Sequence, residues 1–484
     1  MLRLVALESD RRGKPLAGIL CLAAALVLLV ACESRSTAAG EPPATGNFGV
    51  RNFGATGNGQ ALDTAAINQA VEVCAAAGGG RVVFPPGRYL SGTVHLKSRV
   101  EFFLEAGATL VGATNLDLYD TFTLTNRSPC LHTSRWHRGL ILAENAEDIT
   151  IAGRGVIDGS HVFDPRGEEK MRGPHTVLLG HCRNFQIRDV TISNAANYAV
   201  LFFFTDQVDV RRVTFAGGWD GVHFRGSPER WCHDVQITDC RFFTGDDSIA
   251  GSYWRNTVIS NCVINSSCNG IRLIGPAEDT AITHCEFFGP GRHEHRTSRD
   301  AHRTNMLAGI CLQPSAWEPM PGPMDNIRIT DIMMKNVTTP FHIVTRAGNS
   351  AGRLLIERVT ATGAYRAACS VECWGERTFD SVVFRDVNLG FTGGGTAEQA
   401  GKVVKPPGVD ARALPAWGFY ARNVRNLTLE NVRLNCAQED LRPALLADGV
   451  GRLKLDRFNF TPFASVPKPL VFANGTRVEM QERK

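Results

Sequence analysis

A short hydrophobic pattern recurs along most of the chain. An apolar residue is followed by two mostly polar residues and then by an apolar residue or a cysteine. The ten copies are IRDV (187–190), VRRV (210–213), ITDC (237–240), ISNC (259–262), ITHC (282–285), ITDI (329–332), IERV (356–359), FRDV (384–387), LENV (429–432) and LDRF (455–458). Up to Cys285 the fourth positions lie 23, 27, 22 and 23 residues apart, and later intervals of 47 and 45 residues indicate coils with long insertions.

This period predicts the fold class. Strand-length runs at a period of 22–28 residues, without helical periodicity, predict an all-β protein that is a right-handed parallel β-helix. Leucine-rich repeats would show a leucine/asparagine consensus, which is absent, and propeller blades need roughly 40 residues each. Equivalent positions on stacked coils form ladders about 4.8 Å apart, so we expect the cysteines at the fourth position to stack inward. These are Cys240, Cys262 and Cys285.

The segment before the repeats has a different period. Asp63 is a candidate N-cap, and apolar residues follow at helical spacing until GGG (78–80) ends the run. The apolar positions are Ala66, Ile67, Ala70, Val71 and Cys74. We expect a short helix that caps the first coil and covers its exposed strand edge.

The repeat also predicts a polar ladder. Counting seven places past each fourth position gives Asn197, Asp220, Asp247, Asn269 and Arg292, and no insertion interrupts the count in the middle three coils. Asp246 precedes Asp247, and the flanking Gly245 permits a bend that turns both carboxylates outward. We therefore expect three carboxylates on one patch of two adjacent coils. Asp and Asn are common at β-helix turns, which is an open alternative for the two asparagines.

Such a cluster of acids has a use in glycoside hydrolysis. One carboxyl group must stay protonated to donate to the leaving oxygen, while another, ionised, activates water or attacks. Mutual repulsion separates the pKa values and so assigns the roles. A separation of roughly 6.5–9.5 Å leaves room for a water and predicts inversion of configuration.

Composition excludes some other classes of function. The formal charge is +4 and no Lys/Arg stripe is present, which argues against a nucleic-acid-binding protein. The chain has 14 cysteines, and Cys232/Cys240 and Cys369/Cys373 are candidate disulfides, with buried free thiols as the alternative. No metal-ligand spacing is present, and we interpret HEH (293–295) as a polar loop. We expect neither a metal nor a cofactor.

The N-terminal residues have the pattern of an export signal. Basic residues precede an apolar run over 16–31 that is shorter than the roughly 20 residues needed to span a bilayer. The run ends in LVAC (29–32), which resembles a bacterial lipobox with Cys32 as the lipidated residue. We therefore predict a signal peptide over 1–31, a flexible tether over 32–46 and one β-helix domain over 47–484. The mature protein would be a membrane-anchored lipoprotein in the periplasm or at the cell surface.

Several motifs together resemble glycoside hydrolase family 28, the polygalacturonase-like enzymes. They are FGATGNG (53–59), GGGRVVFPPGRYLSGTVHLKS (78–98), LEAGATLVG (104–112), GRGVIDG (153–159), WDGVHF (219–224) and TGDDSIA (244–250). The resemblance implies the pectate-lyase-type β-helix and an inverting hydrolase of pectin-like or algal polysaccharides. It further implies that Asp246 is the general acid and that Asp220 with Asp247 positions and deprotonates the water.

Two motifs depart from the family. The family's Gly-His-Gly is replaced by CNG (268–270), and its Arg-Ile-Lys by CLQ (311–313), so the expected histidine and both cations are missing. Those cations would bind a substrate carboxylate. Arg272 is a candidate replacement, with a plain surface arginine as the alternative, and Gln313 marks the second motif.

Long loops complete the candidate site. The insertions at 289–305 and 314–325 would shape the binding face, and Trp317 is a candidate sugar-stacking platform. The candidate substrate-binding residues are Asn197, Asn269, Arg272, Gln313 and Trp317. We expect a monomer whose partner is a polysaccharide or oligosaccharide. The alternatives are a calcium-dependent polysaccharide lyase on the same fold and a non-catalytic carbohydrate-binding β-helix.

Overall fold

The computed structural model of the chain describes residues 46–121, 138–296 and 303–481. Residues 41–484 form one compact unit. The predicted signal peptide, the lipobox Cys32 and the tether as far as residue 45 lie outside the described residues. The proposed domain boundaries therefore stay predictions.

The described residues form a right-handed parallel β-helix, as the repeat predicts. Two sheets run along its length, and all the strand pairings within them are parallel. The larger sheet wraps two sides of each coil. Its described strands are Asn47–Gly49, Asn58–Leu62, Gly80–Phe84, Gly87–Ser91, Val100–Leu104, Ala108–Gly112, Glu147–Gly153, Val156–Asp158, Arg183–Arg188, Thr191–Ser193, Asp206–Arg211, Thr214–Ala216, Cys232–Thr238, Arg241–Thr244, Trp254–Ser260, Val263–Ser266, Ala277–Thr283, Glu286–Phe288, Gly322–Lys335, Asn349–Ala364, Phe379–Phe391, Asn426–Cys436, Arg452–Asp456, Asn459–Phe460 and Val478–Gln481.

The smaller sheet forms the third side and carries the site. Its outward face is covered by loops, so side chains on both of its faces are largely buried. Its described strands are Val94–His95, Gly139–Glu144, His175–Gly180, Val200–Phe203, Val222–Arg225, Ile249–Ser252, Asn269–Leu273, Ala308–Leu312, Phe341–Thr345, Cys369–Cys373, Phe419–Arg422, Leu445–Asp448 and Leu470–Ala473.

The repeated sequence pattern corresponds to one ladder of the larger sheet. Its first apolar positions are paired from coil to coil through ten successive coils, and every one is buried. They are Ile187, Val210, Ile237, Ile259, Ile282, Ile329, Ile356, Phe384, Leu429 and Leu455. The long intervals in the sequence are therefore insertions between strands, and they leave the register unchanged.

A helix over Thr64–Ala76 covers the first coil, as predicted, and buries Ile67, Ala70, Val71 and Cys74. Asp63 is the N-cap residue, as predicted, but its side chain makes no hydrogen bond to the helix. Its carboxylate instead accepts the N–H groups of Thr56 and Gly57 at 2.7 and 3.1 Å and fixes the preceding loop. The other described helical segments are Val50–Phe53, Leu116–Leu118, Glu168–Lys170 and Ala397–Ala400. Among the described residues no helix has the length and apolar character of a membrane span.

The cysteines among the described residues are buried. Cys240, Cys262 and Cys285 are buried on consecutive coils, next to paired positions of the larger sheet, as the ladder predicts. The two candidate disulfides are not formed, since all four of their cysteines are buried free thiols. Each fills a position where a small apolar side chain packs against the next coil.

Candidate active site

The three aspartates lie at the N-terminal ends of adjacent strands in the smaller sheet. Val222 pairs with Ile249, which pairs with Ile271 on the following coil. Asp220, Asp247 and Asn269 each lie two residues before these paired positions, as the count predicts. Oxygen atoms of Asp220, Asp246 and Asp247 lie within 4.8 Å of one another, and all three residues are less than 10% exposed.

Two members of the predicted ladder are out of register. Val200 pairs with Val222, which places Asn197 three residues before its strand instead of two. Asn269 pairs with Ala308, so Arg292 is not in the ladder, because the insertion separates it from the next strand. The Arg292 guanidinium instead lies 4.5 Å from the ring centroid of Phe243.

A tight corner places Asp246 beside Asp247. It connects the strands Arg241–Thr244 and Ile249–Ser252, and the hydroxyls of Thr244 and Ser266 donate to the carbonyl oxygen of Asp246 at 2.9 and 2.8 Å. A Cβ atom at Gly245 would lie 2.3 Å from the carbonyl oxygen of Gly218, so only glycine fits there. The corner takes this part of the chain out of strand geometry, and both carboxylates join the same cluster.

Asp246 is clamped from two sides. The Nη2 atom of Arg172 donates to its Oδ2 at 2.7 Å, and Nε2 of His295 lies 3.5 Å from its Oδ1. Burial alone would raise the pKa of Asp246, but the Arg172 charge and the His295 contact hold it well below the usual range. The structure therefore shows Asp246 in a setting that favours the ionised form.

Asp220 has the opposite environment. Its Oδ2 lies 2.6 Å from Nδ1 of His223. Burial, together with the charges of Asp246 and Asp247, raises the pKa of Asp220 well above its ordinary value. Burial also lowers the pKa of His223, which favours the neutral ring, and a neutral Nδ1 can accept a hydrogen bond from a protonated Asp220.

Asp247 is held by the following coil. Asn269 donates to its Oδ1 from the backbone N–H at 2.9 Å and from the side-chain amide at 2.8 Å. Nη1 of Arg272 lies 3.9 Å from its Oδ2. Burial raises the pKa of Asp247, Arg272 and Asn269 oppose that rise, and the charge of Asp246 adds to it.

The five predicted substrate-binding residues do not all lie in one place. Asn269, Arg272 and Trp317 lie with the carboxylates, and the Arg272 guanidinium is 4.2 Å from the centroid of the half-exposed Trp317 ring. Asn197 is buried at the other side of the cluster and donates to Glu168 at 3.5 Å. Gln313 is turned away towards the segment 405–412 and donates to the carbonyl oxygen of Gly408 at 2.6 Å.

The segment 405–412 covers the smaller sheet beyond Arg272. Arg272 contacts the carbonyl oxygen of Val409 and lies 3.4 Å from the carboxylate of Asp410. Arg412 makes a two-pronged ion pair with the buried Glu372 at 2.9 and 2.7 Å. Arg272 is therefore buried and paired, and the interpretation as a plain surface arginine is wrong.

Three site residues were missed by the sequence reasoning. Arg172 comes from the loop after the strand Val156–Asp158, and His295 comes from the insertion that the sequence marked only as a polar loop. His223 follows Asp220 by three residues in WDGVHF. The sequence did contain a signal for His223. It follows Val222 in a strand, and because successive side chains of a strand point to opposite faces, an inward Val222 places His223 on the outward face.

The nearest oxygens of the three carboxylates lie within 4.8 Å of one another. The separation of roughly 6.5–9.5 Å that marks an inverting pair is measured between carboxyl groups, so this contact between single oxygens does not distinguish inversion from retention. Inversion therefore stays a prediction that rests on the family resemblance.

Two clusters have the spacing of metal ligands, namely the three aspartates and the set Asp246, Cys268 and His295. Arginine side chains occupy both clusters, since Arg172 pairs with Asp246 and Arg272 lies against Asp247. Burial also raises the pKa of Cys268 well above its ordinary value, which keeps it a thiol. We assign neither cluster to a metal.

Part of the chain is similar in sequence to known proteins. Residues 48–272 match the family described as rhamnogalacturonase A/epimerase, pectate lyase-like. An exo-poly-α-D-galacturonosidase from Dickeya chrysanthemi is 27% identical over an alignment of 252 positions, and the match covers 41% of this chain and 41% of that protein. The chain thus matches about two fifths of the length of this relative.

Solved structures show the same fold. A hyperthermoactive exopolygalacturonase from Thermotoga maritima superposes with a TM-score of 0.59 at 18% identity, covering 81% of this chain and 92% of that one. The chain has a pectate-lyase-type β-helix like that of this polygalacturonase. The sequence matches and the shared fold together support the resemblance to glycoside hydrolase family 28.

The same fold also occurs in a protein with another role. PfbA, a surface adhesin of Streptococcus pneumoniae, superposes with a TM-score of 0.57 at 16% identity, covering 81% of this chain and 91% of that one. Fold alone therefore does not assign the activity of the polygalacturonase-like β-helix, and the site must.

Proposed function

We propose that the protein is a glycoside hydrolase that cleaves glycosidic bonds in pectin-like polysaccharides or oligosaccharides. The observation that carries this proposal is the convergence of three buried carboxylates on one face of the β-helix. Placing three acids together in a poorly solvated site opposes folding, and such a cost is typical of sites that use the charge in chemistry.

The proposed roles of the three aspartates are those that the family resemblance implies. Asp246 donates a proton to the leaving oxygen, and Asp220 with Asp247 holds and deprotonates the attacking water, as the resemblance implies. Asn269 and Arg272 fix the orientation of Asp247 through the contacts described above. Because the cluster shares its protons, the three acids titrate as a unit.

In the protein without substrate, the pKa shifts of Asp246 and Asp220 run against these acid and base roles. Asp246 is paired with Arg172, while burial and like charges raise the pKa of Asp220 and so favour its protonated form. For Asp246 to act as the acid, a substrate must replace Asp246 as the partner of Arg172.

A panel assay tests the proposed function. We expect wild-type protein to release reducing ends from at least one member of a panel of pectic and algal polysaccharides, and Asp246→Asn to lose this activity while staying folded. Asp189→Asn is the matched control, since Asp189 pairs only with exposed arginines at a turn of the larger sheet.

Two other outcomes would replace the proposal. Unsaturated products that vanish with a chelator would identify a polysaccharide lyase. Binding across the panel with no turnover would identify a carbohydrate-binding β-helix. We further propose that the chain is exported, anchored through a lipid on Cys32 and monomeric, with no nucleic-acid partner.

A further inference from the structure

Arg172 reaches the acid cluster at Asp246 although it belongs to a loop. Its side chain is 5% exposed, and its guanidinium lies 4.0 Å from the ring centroid of Trp219. Nη2 of Arg172 binds Asp246 at 2.7 Å and Glu169 at 3.2 Å. One guanidinium thus holds a candidate catalytic carboxylate and a partly exposed carboxylate of its own loop.

The same loop lines a cavity of about 720 Å³. That volume falls within the range of roughly 300–1,000 Å³ that is common for small-molecule sites. Glu169 lines the cavity and also binds Arg172, so one carboxylate connects the cavity to the Arg172 guanidinium, which is not itself among the lining residues. The lining also contains Arg138, Arg166 and Lys170 against Asp164 and Glu169, a balance that favours an anionic ligand.

We propose that Arg172 determines specificity by exchanging carboxylate partners, from Asp246 to the carboxylate of an acidic sugar. The proposal rests on the proposed function and names its substrate class. Guanidinium binds either carboxylate through the same charge-assisted hydrogen bonds, so the exchange needs no new type of contact. A neutral sugar offers no such partner and leaves the Arg172–Asp246 pair intact.

The exchange has a defined proton balance. When Arg172 leaves, Asp246 keeps the His295 contact but faces two carboxylates in a buried site, so it takes up one proton from solvent. That proton is the one later donated to the leaving glycosidic oxygen. The charged and titratable groups that face Asp246 are Arg172, His295, Asp220, Asp247, His223 and Cys268.

Calorimetry of monosaccharide binding tests the exchange without any turnover. Galacturonate is titrated into the full-length protein near neutral pH in buffers of different ionisation enthalpy, with galactose as the neutral control. We expect wild-type protein to take up protons on binding galacturonate, approaching one per sugar, and none on binding galactose.

Two substitutions should separate the partners. In Asp246→Asn the competing carboxylate is gone, so galacturonate should bind at least about tenfold more tightly and without proton uptake. In Arg172→Gln galacturonate should bind at least about tenfold more weakly, also without uptake. Arg172→Lys keeps the charge and should retain uptake if the glutamine variant does not fold. Arg212→Gln removes an arginine that pairs with Asp189 on the larger sheet, outside the cavity, and should leave uptake unchanged.

The outcomes separate this inference from the proposed function. Galacturonate binding without proton uptake, equal uptake in Arg172→Gln, or no galacturonate binding would overturn the exchange even if polymers are hydrolysed. Proton uptake with the predicted variant pattern, in a protein that cleaves nothing, would support the exchange and overturn the hydrolase.

Discussion

Asn269 donates two hydrogen bonds to one oxygen of Asp247, from its backbone N–H at 2.9 Å and from its side-chain amide at 2.8 Å. Both bonds favour the ionised carboxylate and oppose the rise in its pKa that burial causes. The residue that takes the place of the family's histidine therefore holds Asp247, one of the two acids that we propose activate the water.

Asn269→Ala should raise the pKa of Asp247, because one of the two bonds to the ionised form is lost. Since Asp247 must be ionised to activate water, the acid limb of the pH–kcat profile should move to higher pH, and kcat should fall about tenfold or more. The control is Asn388→Ala, which removes an exposed amide that only bonds to Asn435. An acid limb that stays in place would show that Asn269 does not tune Asp247.

Trp317→Ala should weaken substrate binding with little effect on the chemical step. The ring is 52% exposed and stacks on Arg272 beside the carboxylates, so it can present a face to a sugar. We expect KM to rise about tenfold and kcat to stay within about twofold, the pattern of lost uniform binding. Met333→Ala, an exposed apolar residue of the larger sheet, is the control. A loss confined to kcat would contradict a platform role.

Asp220→Asn should stabilise the protein near neutral pH. The pKa of Asp220 is raised in the folded state, so the wild type loses stability as pH rises above the ordinary aspartate value towards the folded one. The amide removes that loss, and the gain should be about 0.5–2 kcal/mol at pH 7 and vanish below about pH 4. Thermal unfolding at both pH values measures it.

Asp246→Asn should shift stability in the opposite direction. The pKa of Asp246 is lowered, so its ionised form contributes stability above the ordinary aspartate value that is lost as pH falls. The substitution removes one of the two carboxylates that bond to the buried Arg172 and should lower stability at pH 7 by about 1–3 kcal/mol. Equal shifts of the same sign in the two variants would refute the electrostatic assignment.

The stacked coils could be predicted from the sequence because every coil of the solenoid must place an apolar side chain at the same inward position. The first apolar residue of each copy must fill the same inward ladder, so Ile187 and Leu455 obey the same pattern although nine coils separate them. The ladder also carried the count to Asp220 and Asp247, where no insertion intervenes.

Counting positions along the repeat failed for residues that reach the acid cluster from insertions. Arg172 and His295 reach the cluster from insertions whose conformation depends on long-range packing, which no local period encodes. Arg292 fell out of the ladder for the same reason, since the chain between it and the next strand is an insertion. The disulfide prediction failed because cysteine spacing does not reveal whether a thiol is packed inside a coil.

The most direct test of the central claim is a proton NMR time course of an α-linked polygalacturonate digest, run with and without a chelator. We predict new reducing ends that appear first as the β anomer, with equal rates in both conditions, and no new signal in Asp246→Asn. Unsaturated products, the α anomer first, or unchanged polymer in a protein that binds it would contradict an inverting hydrolase built on these three aspartates.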